Sequence, residues 1–197
     1  MKTLLDVSAG QRCYHTSNII MRDLPTRKSV RLEAFHYRGQ KRYFVTICSY
    51  HRKQIFADTD RAIRILELLR AESARNYFEV HAYCLMPDHR HLFAEGTDPA
   101  SDLRRFVRNF KMSTSRRYAN DRGNRLWQRD FYEHVMRPTD SFESIAWYIW
   151  MNPIRKSLAV GPQEYPFSGS FTGMKMPSAW NASGWCPPWK KIPCPEN

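Results

Sequence analysis

Two histidines one residue apart, in Pro87-Asp88-His89-Arg90-His91-Leu92, are the clearest chemical signal in the chain. In a strand, successive side chains alternate between faces, so His89 and His91 are expected to point the same way. Two adjacent imidazoles can hold one divalent cation, with Mn²⁺, Zn²⁺, Fe²⁺ and Ni²⁺ suited to nitrogen ligands. The alternative is a pair of strand histidines that hydrogen-bond across a sheet or face solvent. Tyr148 and Asn152 form a second pair, four residues apart on a predicted helix. Positions i and i+4 differ by about 40° in azimuth and roughly 6 Å in rise, so a phenol and a carboxamide leave one face. A metal held by His89, His91 and the Asn152 oxygen would lie one turn from the Tyr148 hydroxyl. An oxygen ligand brings Mg²⁺ and Mn²⁺ into contention. Taken alone, Tyr148 reads more simply as a half-buried interface aromatic, and Asn152 as a helix terminator before Pro153.

Charge indicates what such a site would meet. Lys and Arg total 31 against 19 Asp and Glu, a formal net charge of +12, which points to a nucleic acid. Arg104, Arg105, Arg108, Lys111, Arg116 and Arg117 gather in one short segment, the expected phosphate-binding stripe; a solvated helix face is its bland counterpart. The five cysteines (Cys13, Cys48, Cys84, Cys186 and Cys194) are odd in number, irregularly spaced and without a CxxC pair. No disulfide framework or zinc knuckle is implied, which suits a reducing compartment. Cys48 and Cys84 lie in apolar runs and read as small core residues. The N-terminus lacks a signal-like apolar stretch and no run is long enough to span a bilayer, so a cytoplasmic protein without a membrane partner is expected.

These groups need a scaffold, and the length of 197 residues suits one domain with extensions. Residues 1–40 are polar, basic and weakly patterned, an expected arm. Arg42–Cys48 is a first strand by its β-branched and aromatic content. Asp58 or Thr59 caps a helix carrying Ala62, Ile65, Leu66 and Leu69, which ends near Asn76. Phe78–Met86 and His89–Ala94 form a hairpin about Pro87-Asp88. Pro99 is expected in the first turn of a second helix with Leu103, Phe106, Val107 and Phe110 inward. Gly123-Asn124 breaks the pattern, Leu126–Met136 supplies a fourth strand, and a third helix runs from Pro138-Thr139-Asp140-Ser141 to about Asn152-Pro153. The order predicts an α+β, ferredoxin-like split βαβ fold with helices against a central antiparallel sheet. The domain is expected over 41–170, followed by an irregular Pro/Trp-rich tail over 171–197 with Trp180, Trp185 and Trp189.

Several segments in order resemble one family. Phe44-Val45-Thr46, Leu85-Met86-Pro87-Asp88-His89-Arg90-His91-Leu92, Trp127-Gln128, Tyr148-Ile149-Trp150-Met151-Asn152-Pro153 and Tyr165-Pro166-Phe167-Ser168 are similar to landmarks of the REP-associated tyrosine transposases, within the single-tyrosine HUH transposases of small bacterial insertion sequences. The resemblance covers about residues 41–170. It implies that His89 and His91 bind a divalent metal (Mg²⁺ or Mn²⁺), that Asn152 is a further ligand, and that Tyr148 is the nucleophile on a C-terminal catalytic helix. The implied activity is cleavage and strand transfer of single-stranded DNA near a hairpin or palindrome through a 5′-phosphotyrosine. Wider relatives act as dimers sharing helices, whereas REP-associated members resemble self-contained monomers, so monomer and homodimer both stay open.

One residue departs from the family pattern. The position between the histidines is usually hydrophobic and here is Arg90. A buried guanidinium needs a partner, so Arg90 is expected either to find a carboxylate, Asp88, Glu79 or Glu95, or to lie on an exposed strand. Two rivals follow: a cleavage-incompetent hairpin DNA- or RNA-binding regulator with a site distorted by Arg90, and a nuclease in which water attacks and Tyr148 is structural. Glu133 and His134 read as structural.

Overall fold

Tyr43, Phe44, Val45, Thr46, Ile47 and Cys48 are all buried, so the strand Arg42–Cys48 (β1) must be covered on both faces. In the computed structural model, which describes residues 33–118 and 125–176, that covering comes from helices on either side of one sheet. The expected Gly123-Asn124 break, most of the N-terminal arm, Cys13, Cys186, Cys194 and the tryptophans of the tail lie outside the described residues.

The elements after β1 are the helix Thr59–Arg75 (α1), the strands Phe78–Met86 (β2) and His89–Gly96 (β3), and the helix Leu103–Tyr118 (α2). They are followed by the strand Tyr132–Val135 (β4), the helices Phe142–Trp150 (α3) and Asn152–Arg155 (α4), and the short strand Ser168–Gly169 (β5). The sheet order is β4-β1-β3-β2-β5 and every pair is antiparallel. β1 and β2 flank β3 with α1 crossing between them, which is the predicted ferredoxin-like split βαβ arrangement.

Alternation along the strands sorts the core into two halves. Tyr43, Val45, Ile47, Leu92 and Ala94 pack under α1 and α2 against Ile65, Leu69, Phe106 and Phe110. Phe44, Ala82 and Phe93 face the other way, against Ile145, Ile149 and Trp150 of α3. α1 is capped by Asp58, whose carboxylate accepts from the Arg61 amide at 2.8 Å. Packing begins before β1: Tyr37 is buried, and the Gly39 amide donates to Ser101 at 2.9 Å. Gly96 is required there, because a Cβ would fall 2.3 Å from the Gly39 carbonyl.

Three expectations about the elements need correction, and one short strand is added. Pro99 lies in a turn rather than in the first turn of α2; the Ser101 amide donates to Asp98, and Asp102 caps the helix by accepting from the Arg105 amide. The fourth strand is much shorter than Leu126–Met136. Trp127 turns into the core, with Nε1 donating to Thr114 at 2.7 Å, and Lys111 Nζ gathers the carbonyls of Gln128, Arg129 and Asp130. Those carbonyls turn to an ammonium rather than to a neighbouring strand. The third helix stops at Trp150 and restarts at Asn152 with Pro153 in its first turn. Ser168–Gly169, within a Pro/Gly/Ser-rich stretch, pairs with β2.

Arg90 also departs from expectation. It is fully buried, and none of its nitrogens has a hydrogen-bond partner among the described residues. Its guanidinium stands 3.7 Å from the Phe110 ring centroid and 6.0 Å from that of Trp127. Burial pushes its pKa well below the ordinary value. The three expected carboxylates are engaged elsewhere or exposed: Asp88 with His89 and Arg52, Glu95 with Arg42 and His81, Glu79 toward solvent. The physical reason is position: β3 is a central strand, and its residue 90 faces the apolar layer beneath α2. There only aromatic faces are on offer to a cation.

Candidate active site

The same alternation places His89 and His91 on the opposite face, toward α3. Each ring is held at Nδ1 by a different neighbour. His89 Nδ1 is 2.5 Å from Asp88 Oδ1, and His91 Nδ1 is 2.9 Å from Thr46 Oγ1. The two Nε2 atoms are left facing each other at 3.1 Å. Two nitrogens bound to one cation at about 2.1 Å and a right angle are about 3.0 Å apart, so this spacing fits shared ligation. The Asp88 carboxylate, which can only accept, sets the His89 tautomer that leaves Nε2 as a lone-pair donor, and the Thr46 hydroxyl can accept from His91 Nδ1 in the same tautomer. Burial lowers the His89 pKa, opposed by its bond to Asp88 and assisted by the charges of Arg52 and Lys156.

Tyr148 and Asn152 enter the same pocket, a cleft of about 790 Å³ lined also by Thr46 and both histidines. Tyr148 is 2% exposed, and its ring centroid lies 6.3 Å from that of His91 and 5.8 Å from that of Phe44. The break between α3 and α4 does not part the pair. Asn152 Nδ2 donates to the carbonyls of Tyr148 at 2.9 Å and Ile149 at 3.1 Å, which satisfies the end of α3. With the amide nitrogen so committed, Oδ1 is the acceptor end of the group, and Arg155 donates to it at 3.4 Å. Arg155 also lies over the Tyr148 ring at 4.4 Å and donates twice to the Tyr148 carbonyl. The four residues singled out by spacing therefore meet in one place. Among the described residues no three His, Cys, Asp or Glu side chains converge on a metal position, so a cation here would rely on the two imidazoles and an amide oxygen.

A sequence profile described as "Transposase IS200 like" matches residues 38–152, well over half of the chain and all four of these positions. The chain belongs to that family. Within the IS200-like transposases it is 24% identical to the REP-associated tyrosine transposase of Escherichia coli strain K12, over 68% of this chain and 78% of that protein. It is 26% identical to an uncharacterised protein of Haemophilus influenzae, over 65% of this chain and 88% of the other. A solved structure of a REP-associated tyrosine transposase bound to a REP hairpin matches with a TM-score of 0.62 and 21% identity, covering 75% of this chain and 89% of that one. That likeness carries the fold of this IS200-like transposase.

The basic residues of α2 are not brought to the pocket. α2 lies across the sheet from α3. Arg104 sits over the Tyr37 ring at 5.6 Å, Arg105 donates to the Ala100 carbonyl at 2.7 Å, and Lys111 holds the 128–130 loop. Arg108, Arg116 and Arg117 are exposed, with Arg117 beside Asp60 and Arg64 of α1. The cations at the pocket are instead Arg52 and Lys156, which nothing in their local sequence distinguished. Asp88 and Thr46 were also missed as supports, although Asp88 directly precedes the histidine pair and Thr46 sits in a segment already singled out. Glu133 and His134 serve the frame: Glu133 accepts from the Tyr37 hydroxyl and His134 Nε2 meets Asp140 at 3.0 Å. No helix among the described residues is long and apolar enough to cross a membrane.

Proposed function

We propose that this chain cleaves and rejoins single-stranded DNA beside a hairpin by transesterification at Tyr148, with a divalent cation held by His89, His91 and the Asn152 oxygen. The observation that carries this reading is the pair of Nε2 atoms 3.1 Å apart, each ring tethered at Nδ1, in one pocket with a buried tyrosine. Two imidazoles and one amide oxygen suit Mn²⁺ better than Mg²⁺, which prefers all-oxygen shells. When bound, the cation polarises a non-bridging phosphate oxygen and offsets charge in the transition state. The Tyr148 oxygen attacks phosphorus in line, its phenolic proton departs, and a bond to the 5′ phosphate forms as the bond to the 3′ oxygen breaks. That oxygen takes up a proton and leaves as a 3′-hydroxyl. A phenol with a reference pKa near 10 is a weak nucleophile, so orientation by Phe44, Arg155 and the helix frame matters. The covalent link conserves the phosphodiester energy, which makes rejoining possible without a nucleotide cofactor.

The neighbouring solved transposase is bound to a REP hairpin, which supports the hairpin partner. Arg90 gives the regulator reading no support, since its side chain lies across the sheet from the histidines. The test is a labelled single strand carrying a hairpin, incubated with Mn²⁺ or Mg²⁺ and run on a denaturing gel. A covalent protein–DNA band is expected with the native chain and none with Tyr148→Phe. Cleavage that persists in Tyr148→Phe would instead make water the nucleophile, and binding without cleavage in the native chain would make the protein a regulator.

A further inference from the structure

We propose that the sheet edge beside the histidine pair is a seat for single-stranded DNA, in which Tyr132 stacks a base and Arg52 and Lys156 hold the flanking phosphates. The inference rests on the cleavage reading and adds to it where the strand lies. β4 is an edge strand, and its register is Tyr132 opposite Thr46, with Thr46 opposite His91 on the far side. Directly opposed residues share a face, so Tyr132, Thr46 and His91 form one row across the sheet. With strands about 4.8 Å apart, Tyr132 stands roughly 10 Å from His91, within reach of the nucleotide next to a phosphate held at the histidines. Tyr132 is 59% exposed although it lines the pocket, so its ring is presented to solvent rather than packed.

Arg52 is aimed at the same pocket by an unusual turn. His51 and Arg52 are consecutive non-glycine residues with φ of 54° and 55°, a left-handed conformation that is sterically unfavourable. Such strain persists only where the surroundings impose it, and it gathers at functional sites. Here the His51 ring packs on Tyr50 at 4.0 Å, and Arg52 donates to Asp88 Oδ2 at 3.3 Å while its side chain stays half exposed. Its remaining donors are available to a phosphate. Lys156, exposed after α4, lines the pocket too. A π face and two cations lining one cleft match an unpaired strand, whose bases are open for stacking. The α2 arginines, across the sheet, have no such relation to the pocket.

The test uses the full chain carrying Tyr148→Phe, so that bound DNA is not cleaved. A fluorescein-labelled dT12 is titrated by anisotropy at several NaCl concentrations, and a 12-mer of 5-bromodeoxyuridine is photo-crosslinked and mapped by mass spectrometry. Adding Tyr132→Ala is expected to weaken binding about tenfold, and Tyr132→Phe to restore it within about twofold, as stacking requires. Lys156→Ala should lower the salt slope by about 0.7, one phosphate contact on a single strand. The crosslink should map to Tyr132. Crosslinks confined to α2, a Tyr132→Ala variant that binds like its parent, absent dT12 binding at low salt, or stronger crosslinking to a parallel RNA 12-mer of 5-bromouridine would each overturn the seat. The covalent-band assay reads Tyr148 separately: a band together with any of those outcomes removes the seat alone, while a crosslink at Tyr132 without a band removes the cleavage reading alone.

Discussion

On opposite faces of the sheet, Arg90 and the histidine pair are held on opposite terms. Beneath α1 and α2, Arg90 is enclosed without a hydrogen-bond partner among the described residues and rests on the rings of Phe110 and Trp127. Beneath α3, the polar groups of the pocket answer one another: Thr46 with His91, Asp88 with His89, Asn152 with the carbonyls of Tyr148 and Ile149. One strand supplies both arrangements, with Arg90 on one side and its two neighbours on the other. A β-strand thus separates a charge from a site only one residue away in sequence, because the pleat turns them back to back. A polar group that is matched can be oriented for chemistry; one that is merely tolerated can only be packed.

The sharpest way to break this contrast is to remove the ring under Arg90. Phe110→Ala should destabilise the fold by about 3–5 kcal/mol, through lost burial and a stranded guanidinium together. Urea denaturation would read it, and the folded fraction should still form the covalent DNA band. Arg90→Met tests the same face from the other side. Replacing a buried charge by an apolar chain of similar reach is expected to be neutral or to stabilise by about 1–4 kcal/mol. A large loss of stability in Arg90→Met would mean that the π faces more than offset the desolvation of the guanidinium, and the two faces would no longer differ in kind.

On the α3 face the expected effects are smaller and fall on binding rather than folding. Asp88→Ala and Thr46→Val each remove the Nδ1 partner of one histidine. Loss of such a support weakens metal affinity by about 10- to 100-fold, measurable by calorimetric titration with Mn²⁺. Unfolding midpoints should move little. If both variants bind Mn²⁺ as tightly as the native chain, those partners shape the sheet rather than the site.

The legibility of the sequence follows the same division. Strand alternation put His89 and His91 together, and helical spacing paired Tyr148 with Asn152, because both depend on local geometry. β1, α1, β2 and the hairpin were equally readable from β-branched runs, the Asp58 cap and the Pro87-Asp88 turn. What is not legible is long-range. Nothing near Arg90 in sequence announces Phe110 or Trp127. Nothing near Lys111 announces the three carbonyls of a distant loop on which its ammonium rests. The α2 cluster is dense in sequence, yet the fold turns it away from the pocket, while Arg52 and Lys156, outside that cluster, are brought in by the turn after β1 and the end of α4. β5 is two residues long and depends on β2 for its pairing, too little periodicity to detect.

The weakest expected effect concerns pH, and it sharpens the comparison at His89. Burial lowers the pKa of His89 in the folded state below its ordinary value, with Arg52 and Lys156 acting in the same direction. The unfolded chain then binds a proton more readily than the folded one in the window just below pH 6.5. The corresponding stability is complete above that value and is lost as the pH falls through it, and the loss stops growing once the folded-state pKa is passed. Metal-free native protein should therefore show a lower thermal midpoint at pH 5.5 than at pH 7.5. A His89→Gln variant should show a smaller drop, since one titrating group is gone while the rest of the chain is unchanged. The difference between the two drops isolates His89 from the other ionisable groups. An equal drop in both would mean that Asp88 compensates for burial, and that the α3 face holds His89 as comfortably charged as neutral.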